Sequence, residues 1–275
     1  MDNRPIGIFD SGLGGLTTVK RLTELMPRES IIYLGDTGRV PYGSRSRETI
    51  IKYARQDAAF LLGHSIKAMV IACNTVCSSA TVRDVFGRST DIGDIPVFEV
   101  ISAPARAAAH RTRNGRIGVI GTKATIRSGA YEAAIKSISP DAHVTSAACP
   151  LFVPMVEDGV FSANDVAALS IAERYLAGLR TAGVDTLLLG CTHYPLLRDV
   201  IEKAMGPDVE LIDSGSETAK LVSKELAELE LQAQDGASAS MRYFVTDSVD
   251  GFEMLASRFL ERDVSGMVEQ TVLDQ

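Results

Sequence analysis

The chain has 275 residues, 45% hydrophobic and 23% charged, with a net charge of −7. Such a chain buries one large core or two modest ones, and its length favours two. The acidic balance argues against a broad nucleic-acid surface, and no apolar run approaches the roughly 18 residues that a membrane span needs.

Pro5 to Phe9 reads as a short buried strand, and Asp10-Ser11-Gly12-Leu13-Gly14-Gly15-Leu16-Thr17 turns from it into a helix reaching about Met26. A glycine loop at a helix start exposes N–H groups suited to a carboxylate or phosphate. No Gly-Lys-Ser/Thr follows, and Gly12-x-Gly14-x-x-Thr17 lacks the third glycine of a dinucleotide fingerprint, so nucleotide binding is disfavoured. Asp10, at the strand tip, either caps the turn or orients an ammonium group or a neighbouring thiol. Ile31 to Gly35 is the second strand. Asp36 to Ser46 is a long polar loop, either functional or a plain surface excursion.

Thr49 to Gly63 has helical periodicity, and Ala68-Met69-Val70-Ile71-Ala72 is an apolar run that ends in Cys73-Asn74-Thr75. A helix is expected over 78–86, which puts Cys73 in a strand-to-helix turn where the helix field lowers a thiol pKa. Cys77 reads as helix packing. A break at 87–95 follows, and the pattern restarts. Strands are expected at 97–100, 116–122 and 144–147, with helices at 104–111 and 131–138. Cys149 to Gly159 is a connection containing Glu157 and Asp158, and a helix runs from about Asn164 to Ala182.

Leu187-Leu188-Leu189-Gly190 is then a second unbroken apolar run, delivering Cys191-Thr192-His193-Tyr194-Pro195 at its carboxyl end. A helix over 196–205 and a strand over 209–213 follow. Ser214-Gly215-Ser216-Glu217 has the form of a capping box with Ser214 as the cap, opening a helix to about Glu230. A loop (232–240), a strand (243–245), a helix (251–260) and a tail without pattern complete the chain. Alternating strands and helices predict an α/β fold with parallel sheets and sites at the carboxyl ends of strands. Gly7 to Cys73 spans 66 residues and Gly118 to Cys191 spans 73, so two similar half-chains are expected from element order.

Cys73, Cys77, Cys149 and Cys191 are too few and too scattered for a disulfide scaffold, so reduced thiols are expected. Cys73-x-x-x-Cys77 has no matching second pair and His193 lies only two residues from Cys191, so no metal site is expected. The amino terminus lacks the pattern of a secretory signal, and a cytoplasmic location is expected. Two thiols on two strand tips admit three chemistries. A redox pair lacks Cys-x-x-Cys spacing. A cysteine hydrolase with His193 as base leaves the other cysteine idle. Racemisation by two bases uses both, one thiolate taking a proton from a carbon while a thiol on the opposite face supplies one.

Asp10-Ser11-Gly12-Leu13-Gly14-Gly15-Leu16, Gly35-Asp36-Thr37, Pro41-Tyr42-Gly43, Ala72-Cys73-Asn74-Thr75, Gly118-Val119-Ile120-Gly121-Thr122 and Gly190-Cys191-Thr192-His193-Tyr194-Pro195 resemble the signature segments of the glutamate racemase family, in order, over residues 5 to about 260. The resemblance implies cofactor-independent interconversion of L- and D-glutamate, supplying D-glutamate for peptidoglycan. It also implies two pseudo-symmetric α/β domains, 1–98 with 214–275 and 99–213, with the active site between them. Carried over by motif, Cys73 and Cys191 are the acid/base pair, assisted by Asp10, His193 and Glu157. Asp10, Ser11, Pro41, Tyr42, Gly43, Ser44, Asn74, Thr75, Thr122, Thr192 and His193 are similar to substrate-contacting positions. No metal or cofactor is implied, and no lysine in these motifs suggests a Schiff base. The partners expected are an amino-acid substrate and a second copy of the chain in a homodimer, with no membrane or direct nucleic-acid contact. An aspartate or related racemase, a cysteine-dependent hydrolase and a binding protein on the same fold stay open as alternatives.

Overall fold

The computed structural model describes residues 1–86 and 95–273, so most of the break expected at 87–95 lies outside the described residues. The first half opens with β1 (Ile6–Asp10), α1 (Leu16–Leu25) and β2 (Ile31–Gly35). Then come α2 (Arg47–Leu62), β3 (Ala68–Ile71), α3 (Asn74–Ser79), α4 (Val82–Phe86) and β4 (Val97–Glu99). The second half runs α5 (Ser102–Arg111), β5 (Arg116–Gly121), α6 (Lys123–Ser128), α7 (Ala130–Ile138), β6 (His143–Ala148), α8 (Phe152–Glu157), α9 (Val166–Thr181), β7 (Thr186–Gly190), α10 (Arg198–Met205) and β8 (Glu210–Asp213). The chain closes with α11 (Ser214–Glu228), β9 (Met241–Val245), α12 (Val249–Leu260) and β10 (Val268–Gln270).

The strands form two wholly parallel sheets, ordered β10-β9-β2-β1-β3-β4 and β6-β5-β7-β8. The segment β2-β1-β3-β4 and the whole second sheet share one winding, which is the pseudo-symmetry expected from element order. β1, β2, β3 and β7 are buried along their full length because helices cover both sheet faces, and this is why they read as continuous apolar runs. β9 and β10 bring the end of the chain back to the first sheet. A cut at 98 divides β4, whose Glu99 pairs with Ile71, so the first sheet keeps that strand whole and the chain passes to the second sheet after it. α11 packs along α1, with Leu16, Val19 and Leu22 in one apolar cluster with Ala219, Val222 and Leu226.

Several local expectations are corrected. The helix expected at 78–86 is two short helices, the first beginning at Asn74 directly behind Cys73. The long loop 36–46 contains two 3-10 turns, Thr37–Arg39 and Tyr42–Ser44, and another, Tyr194–Leu197, precedes α10. The connection 149–159 holds α8, and the tail contributes β10. Ser214 is not a helix cap. Asp213, the last residue of β8, accepts from Gly215 N–H and from Ser216 Oγ at 2.6 Å, leaving Glu217 to pair with Arg111 and Lys220.

Candidate active site

In each sheet the winding reverses direction next to its opening strand, between β1 and β3 and between β5 and β7, and the crevice above such a point is where parallel sheets bind ligands. Asp10 and Cys73 leave the first crevice, Thr122 and Cys191 the second. The two crevices face one cavity of about 470 Å³. Its lining includes Asp10, Ser11, Pro41, Tyr42, Gly43, Ser44, Cys73, Asn74, Thr75, Thr122, Glu157, Cys191, Thr192 and His193, so residues spread over some 180 positions of sequence share one wall. Gly12, read above only as part of the glycine loop, also lines it, as do Val40, Lys123, Pro150, Val153 and Pro154, which escaped the sequence reading. Lys123 directly follows Thr122 and could have been suspected from that position; Val153 and Pro154 sit on a six-residue helix too short to show periodicity.

The halves touch across the cavity. The hydroxyls of Thr75 and Thr122 lie 3.3 Å apart, and Thr17 Oγ1 donates to the carbonyl of Thr192 at 3.0 Å. Gly14 approaches so closely that a Cβ there would stand 2.0 Å from Thr192 Oγ1 and 2.6 Å from His193 Nδ1. The glycine loop is therefore needed for close approach. Its Gly12 and Gly15 N–H groups both donate to Asp10 Oδ2, at 3.2 and 3.0 Å, so the chain's own carboxylate occupies the anion site expected there. Asp10 Oδ1 is buried without a hydrogen-bond partner among the described residues. Burial raises the Asp10 carboxyl above the usual carboxylate range, against the pull of His193 and the two N–H groups.

Cys73 is buried, and its thiol donates to Ser11 Oγ at 3.2 Å. The expectation of a lowered pKa is overturned. Burial first, and then the Asp10 charge, push the thiol up to about 12; the hydrogen bonds from Ser11 and Val76 pull the other way and lose. α3 is only six residues long, and its short dipole does not offset that desolvation.

Around Cys191 the chain makes an irregular turn, which brings His193 back beside it. His193 Nε2 meets Glu157 Oε1 at 3.1 Å, and Phe259 stands edge-on to the imidazole. Burial opposes the charged ring, yet hydrogen bonding to Cys191 and Glu157 outweighs it and lifts His193 to about 10. α8, which carries Glu157, is seated by Phe152 edge-on to Tyr194, and the Tyr194 hydroxyl donates to the Cys149 carbonyl at 3.0 Å. The two thiols thus have unlike neighbours: a cation beside Cys191 and a buried carboxyl beside Cys73.

Tyr42 lines the cavity but spends its phenol elsewhere, donating to the carboxylates of Asp36 and Asp57, which also hold Arg39 at 2.6 and 2.9 Å. This buried cluster ties the loop 36–46 to α2. Among the described residues there is no group of three or more His, Cys, Asp or Glu placed to hold a metal ion, and no helix long and apolar enough to cross a membrane.

Residues 15–222 match the family model for Asp/Glu/hydantoin racemases. A curated glutamate racemase of Geobacter metallireducens is 49% identical over 257 residues, covering 94% of this chain and 93% of that protein. A crystal structure of a glutamate racemase isoform from Bacillus anthracis superposes with a TM-score of 0.91 at 39% identity, covering 99% of each chain. Another, from Francisella tularensis in complex with D-glutamate, gives 0.88 at 39% identity, covering 100% of this chain and 99% of that one.

Proposed function

The chain belongs to the Asp/Glu/hydantoin racemase family, and from that premise we propose that its cavity interconverts L- and D-glutamate by passing protons between Cys73 and Cys191. It is an amino-acid racemase acting on glutamate. The observation that carries the two-thiol mechanism is topological: each cysteine ends the equivalent strand of an equivalently wound sheet, and both line the same cavity.

A proton on the α-carbon of an amino acid is very weakly acidic, so its removal needs a positioned base and stabilisation of the developing charge. His193 holds positive charge beside Cys191, and Cys73 keeps its proton. In one direction Cys191, acting as the thiolate, takes the α-proton and Cys73 delivers its proton to the opposite face. The C–H bond breaks on one side as a new one forms on the other, and the thiolate is left on Cys73. We assign this direction to L-glutamate, and the reverse to D-glutamate. Asp10, beside Cys73, acts in the opposite sense to His193: its charge disfavours a thiolate and helps hold on Cys73 the proton that is delivered. The hydroxyls of Ser11, Thr75, Thr122 and Thr192, with the Asn74 amide, supply neutral donors for the substrate carboxylates, and Lys123 adds one positive charge at the rim.

The same reading places the enzyme in the cytoplasm, where reduced thiols persist, and gives its D-glutamate a use in peptidoglycan synthesis. Circular dichroism of the purified protein with L-glutamate, then with L-aspartate, and with no added cofactor, tests it. The glutamate signal is expected to decay to zero and the aspartate signal to stay. Loss of the aspartate signal alone would make this an aspartate racemase, and retention of both would favour a binding protein.

A further inference from the structure

Tyr131, on α7, lies outside the cavity lining and is 2% exposed. It nevertheless touches both cysteine-bearing turns. Its ring packs on Gly190, the residue before Cys191, so closely that a Cβ on Gly190 would stand 2.8 Å from Tyr131 Cε2 and 2.8 Å from the Ile120 carbonyl oxygen. At the other end of the ring, the hydroxyl donates to Oδ1 of Asn74, the residue after Cys73. The same hydroxyl reaches the Val100 carbonyl at 2.7 Å, and the Asn74 amide donates onward to Ser214 Oγ at 3.5 Å. Val100 and Ser214 are the points at which the chain leaves β4 for the second half and leaves β8 for α11. One rigid side chain therefore spans the junction of the two sheets, from the turn of one thiol to the turn of the other.

Racemisation by two bases places an unusual demand on such a junction. Each sulfur must reach the same carbon from opposite faces, so the distance between the two turns matters more than the conformation of either alone. The buried phenol stays neutral, because burial pushes it well above its ordinary value, and so it serves as a constant donor over the working pH range. Resting on the two-thiol reading above, we propose that Tyr131 is a positioning residue that fixes the gap between Cys73 and Cys191 through Asn74 on one side and Gly190 on the other.

The test separates spacing from general damage. Tyr131→Phe keeps the ring on Gly190 and removes only the hydroxyl. Its racemisation of glutamate is compared with its action on 3-chloroglutamate. There, one thiolate removes the α-proton, the electron pair expels chloride from the β-carbon, and the resulting enamine hydrolyses to 2-oxoglutarate and ammonia. That reaction needs one base and is indifferent to the gap. Racemisation kcat is expected to fall about tenfold or more while elimination stays within about twofold. Both rates are measured on one preparation, so any loss of folded protein cancels in their ratio. An unchanged ratio, whether both rates fall together or neither falls, overturns the proposal. The two-thiol reading fails separately, if Cys73→Ser or Cys191→Ser retains full racemisation.

Discussion

Replacing Glu157 by Gln should move the titration of His193 by an amount the structure sets. The carboxylate oxygen stands 3.1 Å from Nε2, and 42% of the Glu157 side chain is exposed, against 10% for His193. At that distance two unit charges attract by about 1 to 3 kcal/mol for an effective dielectric between about 80 and 40. Water screens a partner as exposed as Glu157, so the lower end applies, about 1 kcal/mol. Dividing by 1.36 kcal/mol per pH unit gives a fall of a little under one pH unit from the wild-type value of about 10. The fall is partial because Cys191, the stronger of the two supports, remains. The chain has only four histidines, so isotope-edited NMR of labelled imidazoles resolves the titration, and His193→Asn identifies the resonance. The folded value lies above the ordinary 6.5, so the stability this group contributes is complete below pH 6.5 and is lost as pH rises through about 10. Glu157→Gln should narrow that window from its alkaline side. A wild-type midpoint near 6.5, or one that Glu157→Gln leaves unmoved, would refute this account of the site's charge.

Three further outcomes follow from the geometry. Cys73→Ala and Cys191→Ala should each abolish racemisation, whereas Cys77→Ala and Cys149→Ala should keep most of it at a stability cost of about 1 kcal/mol; equal losses at all four in a steady-state assay would mean that folding was being read. Gly14→Ala, with a methyl driven against Thr192 and His193, should lower kcat by about tenfold or more while far-UV circular dichroism stays native, and full activity would disprove the close approach. Lys67, fully buried, pairs with Glu29 at 2.5 Å, so Lys67→Met strands a buried carboxylate and should cost about 3 to 5 kcal/mol, roughly 10 °C in Tm, in a melt that would otherwise be unmoved.

The parts of the fold legible in the sequence are those whose physics is local. Leu187–Leu189 and Ala68–Ala72 announce buried parallel strands because both faces are covered, and a strand covered on both faces tolerates no polar alternation. That Cys73 and Cys191 stand at strand ends followed from those strands; their pairing as acid and base came only with the family resemblance. What stayed hidden depends on contacts between distant segments. The pKa of Cys73 could not be read from its place before a helix, since burial against Asp10 decides it. Asp213 took the cap from Ser214 because the end of a strand is also the start of the next helix, a double use that a motif does not encode. Tyr42 stands among motif residues, yet its hydroxyl goes to Asp36 and Asp57, the latter on a helix begun several residues later. Tyr131 carries no motif at all; only the folded chain shows it between Asn74 and Gly190.

Solvent labelling tests the central claim, that Cys73 and Cys191 act on opposite faces of one carbon. In deuterium oxide, from either enantiomer of glutamate, the thiol that delivers a proton to the product is not the one that accepted the substrate's proton, and each thiol carries a single exchangeable hydrogen. Early product isolated at low conversion should therefore carry deuterium at the α-carbon, while recovered substrate remains protiated. Deuterium entering both pools at equal early rates would mean that one base serves both faces, and the two-thiol account would be wrong.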